Sequence, residues 1–166
     1  PIMKTAANRT AADKPLDMEV LRQFRVIFKS VRKHFQAIED KLGISGSLLW
    51  AISVIAEQPG INVTALARAM SVHQSTASNI IAKLVELNLV CKARQSSDNR
   101  ITGLFITEHG NAQLQLAPGP VRGLLPDALG KLPYRTLCDL NQNLQILLEQ
   151  MQALEANASD TPLADI

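Results

Sequence analysis

At 166 residues, 46% of them apolar but only 4% aromatic, the chain is long enough to bury one core and is composed for helices packed on helices rather than for a β-sandwich. A formal charge of +2 is too small to mark a polyanionic partner by itself. Its distribution says more: residues 1–43 carry nine Lys or Arg against five Asp or Glu, residues 71–100 four against two with His73 besides, and residues 101–166 three against seven.

Residues 1–15 (PIMKTAANRTAADKP) are small, polar and aperiodic, so a disordered arm is expected there. They lack the apolar run of a signal peptide, and no stretch of the chain approaches the ~18 consecutive apolar residues of a membrane helix. A soluble, cytoplasmic protein is therefore expected, in which the Asn-x-Ser/Thr triplets at Asn8, Asn62 and Asn157 are chance. From residue 16 to 43 the pattern changes. Phe24, Phe28, Val31, Phe35, Ile38 and Leu42 step by four, three, four, three and four, the heptad seam of a long helix that Gly43 ends. One face of that helix carries Arg22, Arg25, Lys29, Arg32 and Lys33.

The stretch 47–58 is apolar nearly all round (Leu48, Leu49, Trp50, Ile52, Val54, Ile55), which predicts a buried helix stopped by Pro59-Gly60. Asn62 or Thr64 can cap a short helix over 65–70. After Ser71-Val72 a further helix is predicted over 74–87, ended by Asn88 in the left-handed conformation. Residues 89–94 and 101–106 are β-prone runs on either side of a polar loop. Thr107 is placed to cap a helix towards Ala117, residues 118–120 (Pro-Gly-Pro) break it, and a weaker helical stretch leads to Pro133. Beyond Pro133, Leu137, Leu140, Leu144, Leu147, Met151 and Leu154 repeat the heptad. Two seams at opposite ends of one chain predict that the terminal segments, 16–43 and 118–156, pair with each other and with those of a second copy. The plainer alternative is that both cap one subunit's core. The lobe between them is then 44–117, and 157–166 is expected to be a flexible tail.

A short helix, a tight turn and a second helix satisfy the packing of a helix-turn-helix, whose steep crossing needs a small residue in the first helix and apolar residues at fixed offsets in both. Ala67 is the small residue, and Leu66, Met70, Val72, Ala77 and Ile80 fill the offsets; Ser71 stands where the turn favours Gly. His73, Gln74, Ser75, Thr76, Ser78, Asn79 and Lys83 are left at the exposed start of the second helix, the end that enters a major groove. Gln and Asn pair bidentately with adenine edges, Ser and Thr reach bases or phosphates, and free backbone N–H groups favour phosphate. Alone, such a face is as readily a solvated surface, and the polar loop a solvated hairpin tip. Together they make a winged helix. The wing would carry Arg94, Ser97, Asp98 and Arg100 beside the helix, where a narrow minor groove attracts Arg.

Residues 71–110, SVHQSTASNIIAKLVELNLVCKARQSSDNRITGLFITEHG, resemble the recognition helix and wing of the MarR family of bacterial transcription regulators. The family's Asp-x-Arg in the wing, its strand and its Leu-Thr-x-x-Gly at the next helix are matched by Asp98-Asn99-Arg100 and by Ile106-Thr107-Glu108-His109-Gly110. Two departures are physically mild: Ile106 for Leu, and Asn88 where the family usually has Gly. The resemblance implies a mostly α fold with a small β-hairpin wing, a winged helix-turn-helix held as a homodimer by N- and C-terminal helices. Each subunit would set one recognition helix and one wing on double-stranded DNA, with Arg100 reading at the wing tip and Asp98 holding the wing in shape. Two-fold symmetry then implies a pseudo-palindromic operator with half-sites one helical turn, ~34 Å, apart. Repression is the commonest family mode, often relieved by a small aromatic or anionic effector between the dimerisation helices and the lobe. Phe24, Arg25, Phe28, His34 and Trp50 are the candidates to line that cleft, against the reading of them as core and solvated face.

Cys91 opens a strand and Cys138 lies on the apolar side of a helix. They make no C-x-x-C pair, and neither matches the first-helix cysteine of the family's redox branch. A free Cys is ordinarily a small buried residue. A redox-sensing regulator is an alternative of lower rank. His34, His73 and His109 are too far apart for a local metal-ligand pair, and no metal or cofactor is expected. There is no phosphate-binding Gly-rich loop, and GISGS at 43–47 is not a nucleophile elbow, so no enzyme is expected. The remaining alternative is a winged-helix dimer that binds protein and no DNA.

Overall fold

The chain, as a computed structural model, is described over residues 14–94, 102–151 and 158–165. In chain order these form α1 (Lys14–Leu42), α2 (Gly46–Glu57), α3 (Val63–Met70), α4 (Gln74–Glu86), β1 (Val90–Arg94), β2 (Thr102–Ile106), α5 (Glu108–Leu116), α6 (Leu124–Gly130) and α7 (Tyr134–Met151). Two 3-10 turns, Ala158–Asp160 and Leu163–Asp165, follow. α1 starts at Lys14 and takes Pro15 into its first turn, where proline's missing N–H has no helical partner to lose. The expected arm is shortened by that much, and its remainder, 1–13, lies outside the described residues.

α2 is the centre of the lobe. Ser45 caps it, accepting from the Leu48 N–H at 3.4 Å, and Leu49, Ala51, Ile52 and Ile55 are wholly inaccessible. Around it pack Ile38 of α1, Leu66 and Met70 of α3, Ile81 and Leu84 of α4, Val90 of β1 and Leu104 of β2. Each such Leu or Ile contributes on the order of 1.5–3 kcal/mol by leaving water. The β1–β2 ladder is antiparallel, from Val90 opposite Ile106 to Arg94 opposite Thr102. β2 is also bridged on its other edge by the segment after α2: the Gly60 N–H donates to Leu104 O at 2.8 Å and the Leu104 N–H to Ile61 O at 2.9 Å. The hairpin is thereby fixed to the core at its base.

The two heptad helices are differently placed. Only the last third of α1 enters the core, through His34, Phe35, Ile38 and Leu42. Towards its start Leu16, Met18, Leu21, Val26 and Phe28 are exposed, Phe28 by 69%. α7 has no fully buried residue, and Leu147, Leu148 and Met151 are exposed, Met151 by 63%. Leu154, the last residue of that seam, lies outside the described residues. Among the described residues no helix is long and apolar enough to cross a membrane.

Candidate nucleic-acid interface

α3 begins at Asn62, whose Oδ1 accepts from the Ala65 N–H at 2.8 Å, and ends at Ser71 in the left-handed region, φ 55 and ψ 45. The turn closes as the Val72 N–H donates to Ala67 O at 3.0 Å. Ser71 thus adopts the conformation that glycine would take at no steric cost. His73, in extended backbone, stands at the N-cap of α4 without a side-chain capping bond.

Ala77, Ile80, Ile81 and Leu84 bury the inner face of α4, which leaves Gln74, Ser75, Ser78, Asn79 and Lys83 exposed and Thr76 half-buried. The exposed residues do not all look the same way. Thr76, Asn79 and Lys83 border a shallow depression of about 670 Å³ whose other walls are Ser45 and Ser47 at the start of α2 and Asp165. Lys83 also pairs with Glu86 at 3.1 Å, an exposed i,i+3 pair that stabilises little. Arg94 is exposed at the end of β1. Ser97, Asp98 and Arg100 fall outside the described residues.

The base of the wing is tied to the end of α4 by one residue. Asn88 ends α4 at φ 56. Thr107 Oγ1 donates to Asn88 O at 2.6 Å and accepts from the Gly110 N–H at 3.0 Å, while the Thr107 N–H donates to Leu89 O at 3.1 Å. A Cβ on Gly110 would lie 2.1 Å from Leu89 O. Thr107 and Gly110 are therefore both dictated by geometry: one caps α5 and clamps the α4–β1 corner, the other lets α5 approach it.

The effector candidates separate. Phe24 and Phe28, rings stacked at 6.2 Å, line a mainly apolar cleft of about 460 Å³ with Leu125 and Leu129 of α6 and Leu140 and Leu144 of α7. Arg25 is exposed on α1. His34 is buried, its Nε2 2.9 Å from Pro120 O, where it ties α1 to the cis Gly119-Pro120 bond. Trp50 borders a different and much smaller cavity, of about 30 Å³, with Phe35, Arg122 and Pro126. Cys91 and Cys138 are both exposed, against the expectation of small buried residues: the outward positions of a two-stranded wing and of an uncovered helix have nothing to bury them. Among the described residues no three His, Cys, Asp or Glu side chains gather as a metal cluster.

One participant has no sequence signal beyond an apolar Pro162-Leu163 step in a polar stretch. The expected flexible tail, over 158–165, packs back on the lobe: Asp160 Oδ2 lies 2.9 Å from His73 Nε2, and Ser47 Oγ donates to Asp165 Oδ1 at 3.1 Å.

A model of the MarR family matches residues 48–102, the span from α2 to the start of β2. The chain is 32% identical over 99 residues to the uncharacterized HTH-type transcriptional regulator YpoP of Bacillus subtilis (strain 168), which covers 60% of this chain and 68% of that protein. In fold it is similar to YusO from Bacillus subtilis, with a TM-score of 0.53 at 17% identity over 88% of this chain and 100% of that one. It is equally similar to Streptococcus pneumoniae FabT, solved in complex with DNA, with a TM-score of 0.53 at 15% identity over 83% of this chain and 99% of that one. With the helix-turn-helix, the wing and the Thr107–Gly110 clamp in place, the chain belongs to the MarR family of transcriptional regulators.

Proposed function

We propose that the chain is a homodimeric cytoplasmic repressor that binds a pseudo-palindromic double-stranded operator and is released by a small effector. The observation that carries the reading is α4, buried on one face and presenting His73, Gln74, Ser75, Ser78, Asn79 and Lys83 outward at the end built to enter a major groove. Thr76 joins them at the edge. Arg94 heads towards the wing tip, where Ser97, Asp98 and Arg100 would meet an adjacent minor groove. The likeness to FabT, solved with DNA, supports the same direction. Segments 16–43 and 118–156 would serve dimerisation, since their exposed apolar seams match what a second copy would cover, and 44–117 would be the DNA-binding lobe. The Phe24–Phe28 cleft falls within the ~300–1,000 Å³ of small-molecule sites, which suits an aromatic effector, with Arg25 nearby on α1 for an anionic group.

An electrophoretic titration against duplex from the chain's own upstream region tests this. Binding should weaken steeply with salt as counterions are released. Arg100→Ala should cost roughly 1–3 kcal/mol, and Lys83→Ala should lower affinity uniformly across sequences. Absence of salt-dependent binding would leave a winged-helix dimer that binds protein.

A further inference from the structure

Residues 158–165 converge on the same end of α4 that the proposed function assigns to DNA. Pro162 is buried. Leu163 and Ala164 close the small cavity bordered by Phe35, Trp50 and Pro126. Gly46 makes room there: a Cβ on it would meet the Phe35 ring at 2.5 Å and Ala164 Cβ at 3.2 Å. From this anchor the two carboxylates reach two different partners. Asp165 takes the Ser47 hydroxyl and borders the depression shared with Thr76, Asn79 and Lys83. Asp160 takes His73, the residue immediately before α4.

We propose that residues 158–165 form an intramolecular strap that competes with DNA for the start of α4, so that operator binding requires the strap to lift. The inference rests on the DNA-binding reading of α4. A DNA phosphate and the Asp160 carboxylate are both anions with the same call on His73, and only one can occupy that place. Strap and DNA are then mutually exclusive, and the apparent affinity falls in proportion to the fraction of molecules whose α4 is uncovered. The hold is light. His73 and Asp160 are 52% and 39% exposed, a screened pair that contributes little, and the apolar anchor is only a few residues long. A strap held this way tunes affinity and does not abolish it.

Two single-residue variants of the chain separate competition from plain electrostatics. Ala164→Glu puts a larger charged side chain into the ~30 Å³ cavity and lifts the strap while adding negative charge, so ordinary repulsion predicts weaker DNA binding and strap release predicts stronger. Asp160→Ala removes the His73 contact and leaves the anchor. Trp50, the chain's single tryptophan, borders the strap and reports its position by fluorescence. The expected result is a changed Trp50 emission in Ala164→Glu, affinity for a labelled upstream duplex raised about threefold or more in both variants, and movement of the parent's emission towards that of Ala164→Glu when the duplex is added. Unchanged Trp50 emission in Ala164→Glu overturns the strap, as does equal or weaker duplex binding by both variants. If parent and variants all fail to bind the duplex, the DNA-binding reading fails, and competition with DNA fails with it.

Discussion

Gly110→Ala probes the joint on which the whole DNA-facing unit hangs. The added methyl would start 2.1 Å from Leu89 O and 2.9 Å from Ile106 Cγ1, and a carbon against a carbonyl oxygen needs more than 3 Å. Leu89 O has nowhere to retreat, because the Thr107 N–H donates to it and Leu89 and Val90 are each only 2% exposed. α5 must move out by about 1 Å, an overpacking cost of about 1–3 kcal/mol, and it carries its cap Thr107 with it, so the Thr107–Leu89 bond is given up as well, at about 0.5–1.5 kcal/mol. Alanine's better helix propensity returns about 1 kcal/mol. The net loss is about 0.5–3.5 kcal/mol out of a typical 5–15, a fall in Tm of roughly 1–14 °C for a chain of this size. Urea titrations followed by far-UV circular dichroism, at one fixed protein concentration so that any association is held constant, measure it. A stability within about 0.5 kcal/mol of the parent, the ordinary range for surface changes, would refute the claim that this approach is rigid.

Ser71→Gly should stabilise the chain by roughly 0.5–1 kcal/mol, because relief of the left-handed serine, about 1–2 kcal/mol, exceeds the entropy that glycine adds to the unfolded chain; a lowered urea midpoint would contradict it. Thr107→Ala removes the α5 cap and the bond to Asn88 O and should cost about 1–2 kcal/mol, with Thr107→Ser keeping most of it, so equal losses in the two would argue that the methyl group matters and the hydroxyl does not. Phe28→Glu and Leu147→Glu alter residues already 69% and 37% exposed; they should leave helicity intact and convert a dimer to a monomer by sedimentation, and an unchanged mass would show that these seams do not pair two copies.

What could be read from the sequence was what is decided locally. Asn62, Asn88 and Thr107 each do what their residue types do at helix ends, within a few residues of where they act. The turn at Ser71 was visible as a departure from glycine, and the backbone duly takes the left-handed region there. Periodicity placed α1, α2 and α7 within a few residues of their observed limits. Contacts between distant segments left no such trace. Ser47 and Asp165 are 118 positions apart, and His34 and Pro120 are 86 apart; nothing local in either segment names the other. For the same reason five candidate effector residues, all plausible by type, divide between a cleft, a loop anchor, a second cavity and solvent.

That division also gives α6 a particular place. Its Leu125 and Leu129 wall the Phe24–Phe28 cleft, while Pro126, on the same seven-residue helix, walls the cavity into which Leu163 and Ala164 fit. A ligand can shift DNA affinity only by binding one arrangement of the molecule better than another. An occupant of the cleft that displaced α6 would meet the strap's anchor at once, because Pro126 neighbours Leu125 and Leu129 on the same short helix. Transmission along α1 would have to pass the His34–Pro120 bond and a buried Ile38, part of a core that is not free to deform continuously. Within the proposed function, the shorter and softer path from cleft to recognition helix therefore runs through α6 and the 158–165 segment rather than through the long helix α1.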